Sequence, residues 1–346
     1  NTHLVYPSLI YYVGQGKTLT LVDAQIELND QLSFLSENRG QVLVKSTGRT
    51  GIQGSEGGIN SYNSLIHNNF GLLTIEGGCF ELDYLAYKNE ISQHYESQGQ
   101  LIICDGCFEM RAKLTNSNTG SIELRGGNFQ TAGDFVGSNT YMAIEGGHFV
   151  IGGNFVQTNW GLLYVKKGHF EVGGALVNDN RNTLSIEGGH YQLQGHLAKG
   201  GRDPNLVRIN GGDFEIENGY GLYCNPYSLL SITGGSFEQK GDLPSAVIYL
   251  EGGLAELSGG TFTSAGGSPV FVIKEGAEDA RILISQGYAT EPMQWQEAPS
   301  LSIGPLDLSV HFRVAGETHD IQEGSPLSMV FPSDPLPPSG QIFVGW

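Results

Sequence analysis

The sequence predicts an all-β protein: a right-handed, single-stranded parallel β-helix whose coils each take ~20–25 residues. Three observations carry this. A glycine pair followed by an aromatic residue recurs at nearly constant spacing. Each copy brings further apolar residues at fixed offsets from that aromatic. No segment shows a capped helical period.

The repeat comes first. Aligned on the glycines and the aromatic, successive segments read TIEGGCFEL, IICDGCFEM, ELRGGNFQT, AIEGGHFVI, YVKKGHFEV, SIEGGHYQL, RINGGDFEI and SITGGSFEQ. The aromatics are Phe80, Phe108, Phe129, Phe149, Phe170, Tyr191, Phe214 and Phe237, spaced by 28, 21, 20, 21, 21, 23 and 23 residues. A weaker copy, LSGGTFT, places Phe262 next. Five positions before each aromatic stands Ile75, Ile103, Leu124, Ile144, Val165, Ile186, Ile209 or Ile232. In four central units a third apolar residue follows six positions after it: Phe135, Phe155, Leu176 and Leu197. One unit is therefore three short strands divided by Gly or Asn corners, where glycine accepts positive φ without steric cost. A unit of strand and turn alone cannot bury its apolar side. Stacking copies in parallel along an axis can, and parallel crossovers are nearly always right-handed. Apolar strands on either side of the clear repeats (LTLV, VLV, VIYL, VFVI, RILI) bring the expected count to about thirteen coils.

Composition agrees with a folded, turn-rich chain. Glycine supplies 51 of 346 residues, with no three-residue period, while 39% of residues are hydrophobic and 10% aromatic. Collagen and disorder are excluded. The net charge of −18, from 36 acidic and 18 basic residues, repels phosphate backbones and anionic lipid, so nucleic acid is not an expected partner. No run of ~20 apolar residues is present, so no membrane insertion is expected. The chain opens on NTHLVYPSL, which reads as a mature or trimmed start.

Alternation along a strand sends the neighbours of an inward aromatic outward. The row just before it reads Cys79, Cys107, Asn128, His148, His169, His190, Asp213 and Ser236. Its three histidines form a ladder at roughly one strand spacing, able to share zinc or copper with Asp213 as an oxygen ligand. The competing reading is a decorative stack left by duplication. A second outward row, Glu76, Cys104, Arg125, Glu145, Lys166, Glu187, Asn210 and Thr233, alternates in sign from Arg125 to Glu187, as cross-strand pairing favours. A third row follows the aromatic: Glu81, Glu109, Gln130, Val150, Glu171, Gln192, Glu215 and Glu238. Its carboxylates suit calcium, or an acid/base pair, but no lysine or arginine evidently joins them. A solvated acidic face is the ordinary case, so no catalytic residue is assigned.

Cys79 and Cys107 hold equivalent positions in successive coils, which makes them a candidate disulfide or a pair of stacked thiols. CDGC at 104–107 is a CxxC set in strand and turn, not at a helix start, and so does not fit thioredoxin-type redox chemistry. Two stretches, 48–64 and 83–100, exceed the coil length and read as insertions, the usual working parts of a solenoid. They bring Tyr62, Tyr84, Tyr87 and Tyr95, and another corner gathers Tyr220, Tyr223 and Tyr227. These seven are the candidate ligand-binding residues: exposed tyrosine suits sugar or protein contact, though loop tyrosines also cover core edges.

The repeat stops near residue 286. The expected domains are a β-helix over 1–287, a transition over 288–307 and a separate β module over 308–346. The last segment alternates Val310, Phe312 and Val314, turns at Gly316, carries Gly324 in EGSPL and Phe331-Pro332, and ends GQIFVGW. It resembles the Listeria–Bacteroides repeat, the internalin-type B repeat, with Gln341 where that family usually has an aromatic. The resemblance implies a small β-grasp-like fold and a secreted, wall-associated protein of Gram-positive or related gut bacteria. The GGxF coils likewise resemble the parallel β-helix regions of such surface proteins.

The expected function is a non-enzymatic, extracellular, adhesin-like stalk or cell-surface module that binds a glycan or a host or bacterial surface protein. The alternative is a polysaccharide lyase or glycoside hydrolase of the β-helix type. No cofactor is expected, with zinc, copper or calcium the candidate ions.

Overall fold

The computed structural model describes residues 3–5, 10–28, 33–46, 51–54, 64–89, 99–110, 115–118, 120–138, 141–158, 161–179, 183–199, 206–218, 220–241, 246–286, 288–291, 299–305, 310–314 and 317–321. The chain divides into two units, Asn1–Gly304 and Pro305–Trp346.

The first unit is a parallel β-solenoid; among the described residues it is all strand and turn except for one 3-10 turn at Ala265–Gly267. Three faces run along it. The aliphatic face is a 12-stranded parallel sheet that starts at Thr18–Val22 and ends at Arg281–Ile284. The aromatic face starts at His3–Val5 and gains strands such as Cys79–Leu82 and His148–Ile151, reaching Gly260–Ser264. The third face is built from a 5-stranded and a 7-stranded parallel sheet. The 12 strands of the aliphatic face mean slightly fewer coils than expected. The reason is that VIYL and VFVI lie on the third face of coils already counted, as strands Ile248–Leu250 and Phe271–Ile273.

The expected register holds rung by rung. Phe149 pairs with Phe129 and Phe170, Ile144 with Leu124 and Val165, and Phe155 with Phe135 and Leu176. All of these are buried. The rings from Phe80 to Phe262 form one continuous stack, with centroid spacings of 4.5 to 5.0 Å and interplanar angles of 2 to 11°. Towards the N-terminus Ile52 and then Ile26 take the same inward position, both buried. Each buried aromatic contributes on the order of 1.5–3 kcal/mol by the area it removes from water.

The third face of the early coils hides a polar ladder that the apolar pattern does not announce. Asn38, Asn69 and Asn89 close three successive strands and are fully buried. Asn38 Nδ2 donates to Asn69 Oδ1 at 2.8 Å, and Asn69 Nδ2 donates to Asn89 Oδ1, also at 2.8 Å. Each amide also donates to a backbone carbonyl of the next coil, at Leu72, Gln100 and Ser121. The amides thus satisfy each other inside the core, as buried polar groups must.

Part of the stretch expected as a transition adds to the solenoid. Strand Ser300–Pro305 runs antiparallel to Gly260–Ser264 and sets Leu301 opposite Phe262, and Leu301 and Ile303 are buried. Tyr288–Glu291 extends the same sheet by one more strand. The last parallel strand of the aromatic face, Gly260–Ser264, is thus paired and is not the edge of its sheet. In the second unit, Val310–Val314 and Glu317–Ile321 form an antiparallel hairpin in which Val314 pairs with Glu317. The FP and GQIFVGW segments that carried the resemblance lie outside the described residues.

Candidate functional site

The outer side of the aromatic face carries the histidines where alternation places them. His148 pairs with His169, His169 with His190 and His190 with Asp213. The His148 and His169 rings lie 4.9 Å apart and tilted at 50°, while His169 and His190 stack at 5.0 Å and 14°. The carboxylate that joins them is Glu171, two residues beyond His169 on the same strand and therefore on the same side of the sheet. Glu171 Oε1 lies 2.9 Å from His148 Nε2 and 3.4 Å from His169 Nε2. Val150 holds the equivalent place in the preceding coil. The hydrogen bond from His148 holds the Glu171 carboxyl below its ordinary pKa, aided by the nearby imidazoles and opposed by partial burial. Among the described residues, His148, His169 and Glu171 form the one group able to hold a metal ion, with ligand atoms all within 4.8 Å of one another. His190 and Asp213 stand outside that group, although both lie in the predicted ladder.

An open depression of about 560 Å³ runs along the same surface, from Gln25 and Gln53 past Glu81 and Glu109 to His148. Cys79 and Cys107 form a disulfide in its floor, with Cα atoms 4.5 Å apart in directly paired strands. Cys107 is therefore committed to the neighbouring coil and not to Cys104, which is a free thiol. Cys224 is buried, and burial pushes its thiol pKa up to about 12, away from reactivity.

Within the third row, two pairs of neighbouring carboxylates, Glu81 with Glu109 and Glu215 with Glu238, differ. Glu81 pairs with Glu109, and Gln53 donates to Glu81 at 3.3 Å. Glu215 pairs with Glu238, and here the expectation that no lysine joins the row is corrected. Lys240 Nζ sits 2.8 Å from Glu215 Oε2 and 3.8 Å from Glu238 Oε2. Its hydrogen bond pulls the Glu215 carboxyl below its ordinary pKa. The charge ladder is also rearranged. Arg125, just beyond strand Ser121–Leu124, donates from Nε to Glu123 Oε1 at 2.7 Å. Further along, Asn210 donates to Glu187 and Thr233 donates to Asn210, both at 2.9 Å.

The tyrosine candidates separate into classes. Tyr62 and Tyr95 lie outside the described residues, and for Tyr87 only the backbone, in strand Tyr84–Asn89, is described. Tyr84 is only 8% exposed, so it covers the core edge and does not present a ligand surface. Its part of the expected 83–100 insertion is a regular third-face strand, paired with Ser64–Asn69. Tyr227 stands 64% exposed on a turn. Tyr220 and Tyr223 gather with a residue that spacing did not single out, Tyr249, which lies in register with Tyr223 one coil on. The Tyr220 and Tyr249 rings stack at 3.9 Å, Tyr223 lies 5.4 Å from Tyr249, and His196 approaches Tyr223 at 6.1 Å. Burial, followed by a hydrogen bond to Glu251, pushes the Tyr223 phenol well above its ordinary pKa. Glu251 in turn accepts from Lys274 Nζ at 2.9 Å. The result is a half-buried aromatic platform rimmed by an acceptor and a cation.

No family model, curated protein or solved structure shows similarity to this chain. The reading of its function therefore rests on its own surfaces.

Proposed function

We propose that the chain is a non-enzymatic module of an extracellular surface protein, adhesin-like in role, whose solenoid presents a carbohydrate-binding platform at Tyr220, Tyr223 and Tyr249. The stacked tyrosines beside Glu251 and Lys274 carry this reading. A sugar offers an apolar C–H face and a rim of hydroxyls. Tyrosine faces take the first, while a carboxylate and an ammonium take the second. The net charge of −18 favours a neutral glycan over a polyanionic one. The Cys79–Cys107 disulfide supports an oxidising, extracytoplasmic location. The wall-associated setting follows from the resemblance of 310–346 to the internalin-type repeat.

A polysaccharide-cleaving role would call for paired carboxyls with one held protonated near neutral pH. At the Glu215/Glu238 pair, Lys240 instead draws Glu215 down, which favours the binding reading there.

The test is a screen of the full chain against neutral and uronate oligosaccharides, scored for binding and for depolymerisation. Binding of a neutral glycan that Tyr249→Ala abolishes, with no chain cleavage, is the expected result. Release of shortened oligosaccharides would replace the proposal with the enzymatic alternative.

A further inference from the structure

We propose that His148, His169 and Glu171 form a surface zinc site with an N₂O ligand set. This is independent of the glycan platform, which lies on the third face.

The argument begins with register. Two imidazoles directly opposed on paired parallel strands are held one strand spacing apart by the backbone. Their pairing is set by the ladder hydrogen bonds and costs no loop ordering. Glu171 then brings an oxygen to 2.9 Å from one Nε2 and 3.4 Å from the other. Ligand atoms on one tetrahedral zinc, each about 2.0–2.2 Å from the metal, stand a little over 3 Å apart. Two edges of the required triangle are thus already near that length, and the third is no longer than 4.8 Å. A small rotation of the half-exposed imidazoles would close it.

The chemistry of the set narrows the ion. Neutral imidazole nitrogens with one carboxylate suit zinc, whereas calcium and magnesium prefer all-oxygen shells. Copper(II) would compete by intrinsic affinity. Three protein ligands on an accessible sheet leave a fourth position open to water or to a donor from another molecule. The acidic chain raises the local concentration of any cation.

Glu171 distinguishes a built site from a decorative stack. If the histidines only stack, Glu171 is a passive hydrogen-bond acceptor, and removing its charge leaves metal affinity alone. If Glu171 is a ligand, it does not.

The experiment is calorimetric titration of the full chain with zinc chloride, for wild type, His169→Ala, Glu171→Gln, His190→Ala and Asp213→Asn. All four substituted side chains point outward, so thermal melts of each variant serve as the folding control. The expected result is one zinc per chain for wild type. Affinity should fall by at least about tenfold in Glu171→Gln and be lost in His169→Ala. His190→Ala and Asp213→Asn should retain it. Equal binding by wild type and Glu171→Gln, or no binding by wild type, overturns the proposal. Loss of binding in Asp213→Asn overturns this ligand set in favour of the extended ladder.

Discussion

Gly147 sits against the Phe149 ring at a coil corner, with no room for a side chain between them. A Cβ at residue 147 would stand 3.2 Å from Phe149 Cε2 and 3.0 Å from the carbonyl oxygen of Gly127, and the backbone there has φ of 115°. The G-x-F spacing is therefore a steric relationship as well as a turn. It also explains why KKGHF and CDGCF keep only the second glycine: Lys167 and Asp105 fill the first position, where φ is not positive. Gly147→Ala should destabilise by at least ~1–3 kcal/mol through backbone strain, with displacement of the ring in addition. Gly133→Ala, at a corner with open space around it, should stay within ~0.5 kcal/mol. Urea denaturation of the two variants side by side checks the contrast.

Removing a ring from the stack opens a cavity between two neighbours 4.7 Å away on either side. Phe149→Ala should cost ~3–5 kcal/mol. Tyr191→Phe keeps the stack but deprives the Gly188 carbonyl of the hydroxyl that donates to it at 3.0 Å, a loss of about 1 kcal/mol. An unchanged denaturation midpoint for Phe149→Ala would refute the inward register.

The asparagine ladder makes a sharper demand. Asn69→Ala leaves Asn38 Nδ2, Asn89 Oδ1 and the Gln100 carbonyl short of a partner in a buried site. Each unsatisfied group costs ~1–3 kcal/mol, so this small substitution should rival the loss of an aromatic rung. Hydrogen exchange should show the damage centred on strands 33–38, 64–69 and 84–89.

Cys79 and Cys107 are 28 residues apart, and closing a loop of that length restricts the unfolded chain by ~3–4 kcal/mol in the chain-entropy picture. Reduction, or the double substitution Cys79→Ser with Cys107→Ser, should lower the thermal midpoint. Iodoacetamide should label no more than the two free cysteines of the unreduced protein, even when it is denatured.

Lys240 should make stability depend on pH. Glu215 has a lowered folded pKa, so its pairing stabilises fully above the usual carboxylate value of roughly 4.3 and is lost as pH falls through the folded value. The pair is partly exposed, so solvent screening keeps the gain small. Lys240→Met should lose that increment at pH 7 and match wild type near pH 3. An equal difference at both pH values would point to lost packing of the lysine stem instead.

The strand periodicity, the recurring aromatic and the glycine corner were enough to determine the parallel solenoid, both apolar stacks and the outward position of His148, His169 and His190. These follow from local alternation and from repetition itself, since equivalent residues of successive coils must pair when the coils stack in parallel. Tertiary structure decided what passes between rows and between faces. Glu171 leans across to His148, Lys240 reaches back to Glu215, and Tyr249, one coil beyond Tyr223 in the paired strand Ile248–Leu250, meets Tyr220. The asparagine ladder is set in the same way, by three strand ends whose spacings of 31 and 20 residues share no period. Repetition specifies which backbone atoms lie side by side. Side-chain reach and loop length, which carry no period, decide which functional groups meet.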